Sequence, residues 1–114
     1  MSTGGDEDRQ SVLDRFGDAV NMSAAELERW LETDTAREVG QKGSGGGEST
    51  GHASGRRIVA LLRTAESNLS DADLAHMRKV TGYVHRHLAQ RPGGDISESK
   101  WRYSLMNWGH DPEK

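Results

Sequence analysis

SDADLAHMRKVTGYVHRHLAQRPGGDISESKWRYSLMNWGHDP, residues 70–112, is the stretch whose reading decides the fold. Leu74, Met77, Thr81, Val84 and Leu88 recur at i, i+3, i+7, i+10 and i+14, with Val80 and Tyr83 widening the stripe, which is the spacing of one helix face. Ser70 with Asp73 three residues on makes a box-like start, and the acids Asp71 and Asp73 suit the positive end of a helix. Some twenty residues, Ser70 to Gln90, give a helix of about 30 Å, enough to span a small domain. Pro92-Gly93-Gly94 then breaks the chain. Asp95 or Ser97 is expected to cap a second helix, on which Trp101, Leu105 and Trp108 share a face at i, i+4 and i+7. Gly109 fits the left-handed position that ends a helix, and Pro112 follows it.

The upstream chain reads the same way. Val12, Leu13, Phe16 and Val20 predict a short amphipathic helix from about Asp8 to Val20, after an acidic, disordered tail over residues 1–8. Ser23 and Glu26 match the S-x-x-E capping box, with Met22 and Leu27 at the two staple positions. The helix they open carries Leu27, Trp30 and Leu31, and Thr33-Asp34 recaps a single turn that Gly40 stops. Residues 41–51 are Gly-rich and read as a flexible loop. His52 to about Ala65 is expected to be helical, with Ile58, Leu61 and Leu62 facing inward and Ser54 at the helix entry. No segment alternates with the two-residue period of a strand, so the expectation is an all-α bundle of four or five helices, a single domain over residues 9–112.

Leu, Ile, Val and Phe together number 18 of 114 residues, so the core is thin. A core of this size stabilises a lone domain by only a few kcal/mol, roughly 3–5. Absence of cysteine excludes disulfides and thiolate metal sites. The longest apolar run, Ile58–Leu62, is far too short to span a membrane, and the acidic start is unlike a signal peptide, so a cytoplasmic protein is expected. Residues 1–50 carry eleven acids against five bases, net −6, whereas residues 51–114 carry seven against ten, net +3. An acidic arm beside a mildly basic domain follows.

Chemistry-bearing patterns are sparse. His85 and His87 are two apart and point to different sides of a helix, and no pair has the H-E-x-x-H spacing of a zinc site. The Gly-rich loop lacks the Lys-Ser/Thr pair of a phosphate-binding P-loop, and no serine occupies a nucleophile elbow. The expectation is a non-enzymatic protein without cofactor or metal. What remains is a basic surface. Between residues 56 and 102 the chain places Arg56, Arg57, Arg63, Arg78, Lys79, Arg86, Arg91, Lys100 and Arg102, nine bases against five acids. Arg78, Lys79 and Arg86 fall outside the apolar stripe of the long helix, where they are placed to neutralise phosphates. The alternative is a protein-interaction or self-association module using Trp30, Tyr103 or the Trp101/Trp108 face.

Several stretches taken together resemble a known family. They are Glu26-Leu27-Glu28-Arg29-Trp30-Leu31 with Val39-Gly40, Ser54-Gly55-Arg56-Arg57-Ile58-Val59, His76-Met77-Arg78-Lys79-Val80, Gly82 through Pro92, and Trp101 through Pro112. The family is the domain-of-unknown-function family numbered thirty-one-forty, small bacterial and fungal proteins, and the resemblance covers about residues 12–112. Some members carry the label DNA-binding protein, so the resemblance implies DNA as partner and supplies no catalytic residues. It implies Arg56, Arg57, Arg78, Lys79, Arg86, Arg91 and Arg102 as nucleic-acid-contacting positions, the bases already singled out by their placement.

Overall fold

In the computed structural model, residues 4–39 and 50–114 are described, with side chains in the first stretch from Arg9 onward. Among the described residues the chain is all-helical: α1 (Gly4–Ala19), α2 (Ala24–Leu31), α3 (Asp34–Glu38), α4 (Thr50–Leu62), α5 (Asp71–Leu88) and α6 (Lys100–Asn107), with a 3-10 turn at Glu66–Asn68. The sixth helix beyond the expected four or five is α3, the single turn that Thr33 recaps. The acidic tail read over residues 1–8 is already helical from Gly4, because the polar first turn of α1 has no apolar residue to reveal it by periodicity. Most of the Gly-rich loop read over residues 41–51, its residues 41–49, lies outside the described residues, as does Gly40, read as the stop of the preceding turn; its last two residues, Thr50 and Gly51, open α4.

Local caps set the helix starts. At α2 the Ser23 hydroxyl accepts from the Glu26 amide at 3.1 Å while the Ser23 amide donates to the Glu26 carboxylate at 2.8 Å. Ser70 and Asp73 form the same reciprocal box at α5, at 3.1 and 3.0 Å. Each satisfies two amides that the helix leaves without partners. The start of α6 differs from the sequence reading, since Ser99, not Asp95 or Ser97, is its cap and accepts from the Arg102 amide at 3.1 Å. Asp95 instead accepts from the Ser97 amide at 2.9 Å in a local turn, and Ile96 is buried between them, which holds residues 95–98 out of the helix. At the other end Gly109 has φ +85°, the His110 amide reaches Leu105 O at 3.0 Å and the Gly109 amide reaches Met106 O at 2.9 Å. That is the paired bonding of a Schellman stop.

The six helices form two packed pairs, α1 along α5 and α2 against α4, and α6 joins them by touching α2, α3, α4 and α5. Val12, Phe16, Ala19 and Val20 of α1 meet Leu74, Met77, Val80 and Val84 of α5 in one core with Leu27, Leu31, Ile58, Leu61, Leu105 and Trp108. Asn107 of α6 lies inside this core. Its side chain accepts from Trp30 Nε1 at 2.7 Å and donates to Ala36 O at 3.0 Å, tying α2 and α3 to α6. Gly55 of α4 packs against the same residue so closely that a Cβ there would stand 2.5 Å from Asn107 O.

Helix α6 is held to α5 by stacked rings. His76, Trp108, Tyr83, His87 and Trp101 follow one another with centroid separations of 6.4, 4.2, 5.2 and 6.0 Å and near-parallel planes, and Arg91 lies over the Trp101 ring at 5.5 Å. Trp101 Nε1 also donates to His87 O at 2.7 Å. Burial holds the His87 ring below its ordinary 6.5, opposed by the Trp101 backbone, and its Nε2 is buried without a hydrogen-bond partner. His76 is lowered by burial and then by Arg57 and Lys79, with Asp73 opposing.

Two consequences are measurable. Gly55→Ala should destabilise the protein by about 2 kcal/mol, since the added methyl has backbone against it. Gly17→Ala, exposed on α1 with nothing within 4 Å, should stabilise it by about 0.5–1 kcal/mol in denaturant unfolding. Both histidines bind protons less readily in the fold than when unfolded, so their contribution to stability is full above pH 6.5 and falls as pH drops below that value. Melting temperature should decline between pH 6.5 and about 5, above the range in which carboxylates take up protons, and His87→Phe should flatten that decline.

Candidate nucleic-acid interface

Three faces divide α5. Leu74, Met77, Val80, Thr81 and Val84 point into the core, and His76, Tyr83 and His87 meet the α6 tryptophans. The remaining arc, about 120° wide at 100° per residue, holds Ala75, Arg78, Lys79, Gly82, His85 and Arg86. All but the half-exposed Gly82 are solvent-exposed. From Leu74 to Arg91 the chain has four bases and no acid, and the one acid on the same face of α5 is Asp71 in its first turn. Among the described residues Arg78, Lys79 and Arg86 form no ion pair. The Arg86 guanidinium folds back over Gly82, where a Cβ would meet Nη1 at 3.0 Å.

The other bases singled out in the sequence are placed differently. Arg57 on α4 is exposed but pairs with Asp73 at 3.3 Å, and it stands near enough to His76 to share with Lys79 in lowering it. That brings one α4 base beside the α5 arc. Arg56 is its exposed neighbour on α4. Arg91 lies beyond the end of α5 with its guanidinium over Trp101. Ser54, read as a helix-entry residue, is buried within α4 and bonded to His76 at 3.0 Å, so it joins α4 to α5.

Arg102 separates from the set. Its side chain is only 20% exposed, with Nε and Nη2 each donating to the Asp111 carboxylate at 3.1 Å and Nη1 to Ser97 O at 2.6 Å. Burial is the largest influence on Asp111 and opposes its ionisation, yet the Arg102 bonds, the Glu113 amide and the charges of Arg102 and His110 together hold the carboxyl below its ordinary value. Asn21 exchanges hydrogen bonds with the Asp111 backbone at 2.9 and 2.8 Å, and the His110 ring bonds Ala19 O at 2.7 Å. Arg102 therefore ties Asp111 to α6 and to Ser97; Asn21 and His110 tie the same C-terminal segment to the α1–α2 junction, and the Arg102 guanidinium is occupied. Trp101 and Trp108, the face offered for a protein partner, are 9% and 5% exposed and belong to the core. Trp30 is half-buried against Tyr103 at 5.5 Å.

A groove of about 680 Å³ runs between α1 and α5, where Ser11 and Arg15 stand across from Arg78, Thr81 and His85 and Gly82 lines it without a side chain. Arg15 escapes a sequence reading because it lies in the acidic half of the chain, and only the packing of α1 on α5 brings it to this surface. Among the described residues no cluster of three metal-ligating side chains exists, and no helix is long and apolar enough to cross a membrane.

No curated protein and no solved structure matches the chain at a significant level. The model of a family described as a protein of unknown function (DUF3140) matches residues 15–106, most of the chain and the whole of α2 to α5. On that match, which agrees with the family indicated by the C-terminal motifs, the chain belongs to the DUF3140 family.

Proposed function

We propose that this protein binds duplex DNA without catalysis, through phosphate contacts made by the exposed arc of α5. The observation that carries the reading is the acid-free run from Leu74 to Arg91, whose Arg78, Lys79 and Arg86 share one exposed face and have no carboxylate partners among the described residues. An 18-residue helix is about 27 Å long, and the major groove of B-DNA is about 12 Å wide and admits a helix. Ala75, a small residue on that arc, lets phosphates approach the helix backbone closely, and Gly82 leaves room for the Arg86 guanidinium over it. Arg57 of α4 lies beside the arc with its guanidinium paired to Asp73 at 3.3 Å, and its neighbour Arg56 lies on the same helix. The contacts are sequence-independent in this account, since long basic side chains at a helix surface meet phosphates first.

Fluorescence anisotropy with a labelled duplex tests it. Three phosphate contacts give a salt slope near −2.7, so affinity should fall on the order of 40-fold between 50 and 200 mM salt. The triple variant Arg78→Ala, Lys79→Ala, Arg86→Ala should lose most of that affinity and flatten the slope by about 2–3. Arg102→Ala should instead lower the melting temperature and leave the salt slope of the folded protein unchanged, because its guanidinium is spent on Asp111 and Ser97. A duplex affinity too weak to measure at 50 mM salt would sink the reading.

A further inference from the structure

We propose that the groove between α1 and α5 is a phosphate-binding site in which Arg15 and Arg78 form the clamp. The proposal deepens the reading of α5 as a DNA-contacting helix by adding a second element, α1, to the contact surface, and it rests on that reading only for the source of the phosphate. Val12 and Phe16 bury one side of α1 against the core, which turns the adjacent side, with Ser11 and Arg15 one helical turn apart, toward α5. On α5, Arg78, Gly82 and His85 follow at i, i+4 and i+7, so two parallel strips line the same space.

The chemistry of the lining is that of an anion site. None of its side chains is acidic, and Asp14 and Asp18, the acids on either side of Arg15 on α1, are not among them, Asp14 accepting from Gln10 instead. Arg15 and Arg78 form no ion pair among the described residues. Two guanidinium groups on the walls of one groove repel each other, and an anion between them converts that repulsion into two attractions. Ser11 supplies a hydroxyl donor. Thr81 does not, because its hydroxyl proton is committed to Met77 O at 3.0 Å. Arg86, folded over Gly82, brings a third cation to the edge. The volume of about 680 Å³ exceeds that of one phosphate and falls in the range of small-molecule sites, leaving room for the sugar that a phosphate ester carries. A phosphodiester of a DNA strand and the phosphate of a free nucleotide offer the same chemistry.

The test uses Arg15→Gln and Arg78→Gln in the full chain, with Arg63→Gln, whose partner is Glu28 away from the groove, as control. All three sites are exposed, and unchanged melting temperatures of the two groove variants confirm that the fold is kept. Duplex binding is read by anisotropy, and pyrophosphate and adenosine monophosphate binding by calorimetry at low salt. Arg15→Gln is expected to weaken duplex binding about 5-fold or more at 50 mM salt and to lower the salt slope by about 0.9, as Arg78→Gln does, while Arg63→Gln changes neither. Binding of pyrophosphate or the nucleotide that Arg15→Gln abolishes, without any duplex binding, would uphold the groove and remove the DNA reading. Duplex binding unaffected by Arg15→Gln would overturn the groove and leave the α5 arc standing. No binding of any of the three probes would overturn both.

Discussion

Asn107 is the point on which the described structure converges. A buried amide costs free energy unless its hydrogen bonds are made, and here Trp30 of α2 and Ala36 of α3 make them while Gly55 of α4 presses on its carbonyl. Losing the side chain would strand two polar groups, at about 1–3 kcal/mol each, in a domain whose whole margin is a few kcal/mol. One polar residue in a thin apolar core thus fixes the orientation of α6 relative to three other helices. With α6 fixed, its tryptophans meet the aromatic side of α5, and α5 is turned so that its remaining arc faces solvent.

Features governed by neighbours along the chain are legible in the sequence. The capping boxes at Ser23 and Ser70, the stop at Gly109 and the stripe from Leu74 to Val84 each depend on residues within one or two turns, so spacing alone finds them. The start of α6 is not legible in this way, because Asp95, Ser97 and Ser99 all suit a cap, and the choice is made by the burial of Ile96 against distant helices. Asn107 and Ser54 look in the sequence like ordinary polar residues on helices, and their roles exist only through Trp30, Ala36 and His76.

The same distinction runs through the basic residues. Arg78, Lys79 and Arg86 can be grouped from helical spacing, since one face of one helix carries them. Arg102 has the same charge and a similar setting in the sequence, yet a carboxylate nine residues on takes up its guanidinium. Arg15 is the opposite case: it sits among acids in the chain and across a groove from Arg78 in space. A count of charges cannot separate these cases. What separates them is whether a partner occupies the charge, and that is a tertiary property.

On the proposal made for α5, its exposed arc is the nucleic-acid surface. Amide chemical-shift mapping of the isotopically labelled protein, titrated with a short duplex at about 50 mM salt, tests it most directly. Shifts are expected to concentrate at residues 75–86, with a smaller set at Ser11 to Arg15, and none at the Trp30–Tyr103 side. Shifts confined to the Trp30–Tyr103 side, or an unchanged spectrum at saturating duplex, would contradict it.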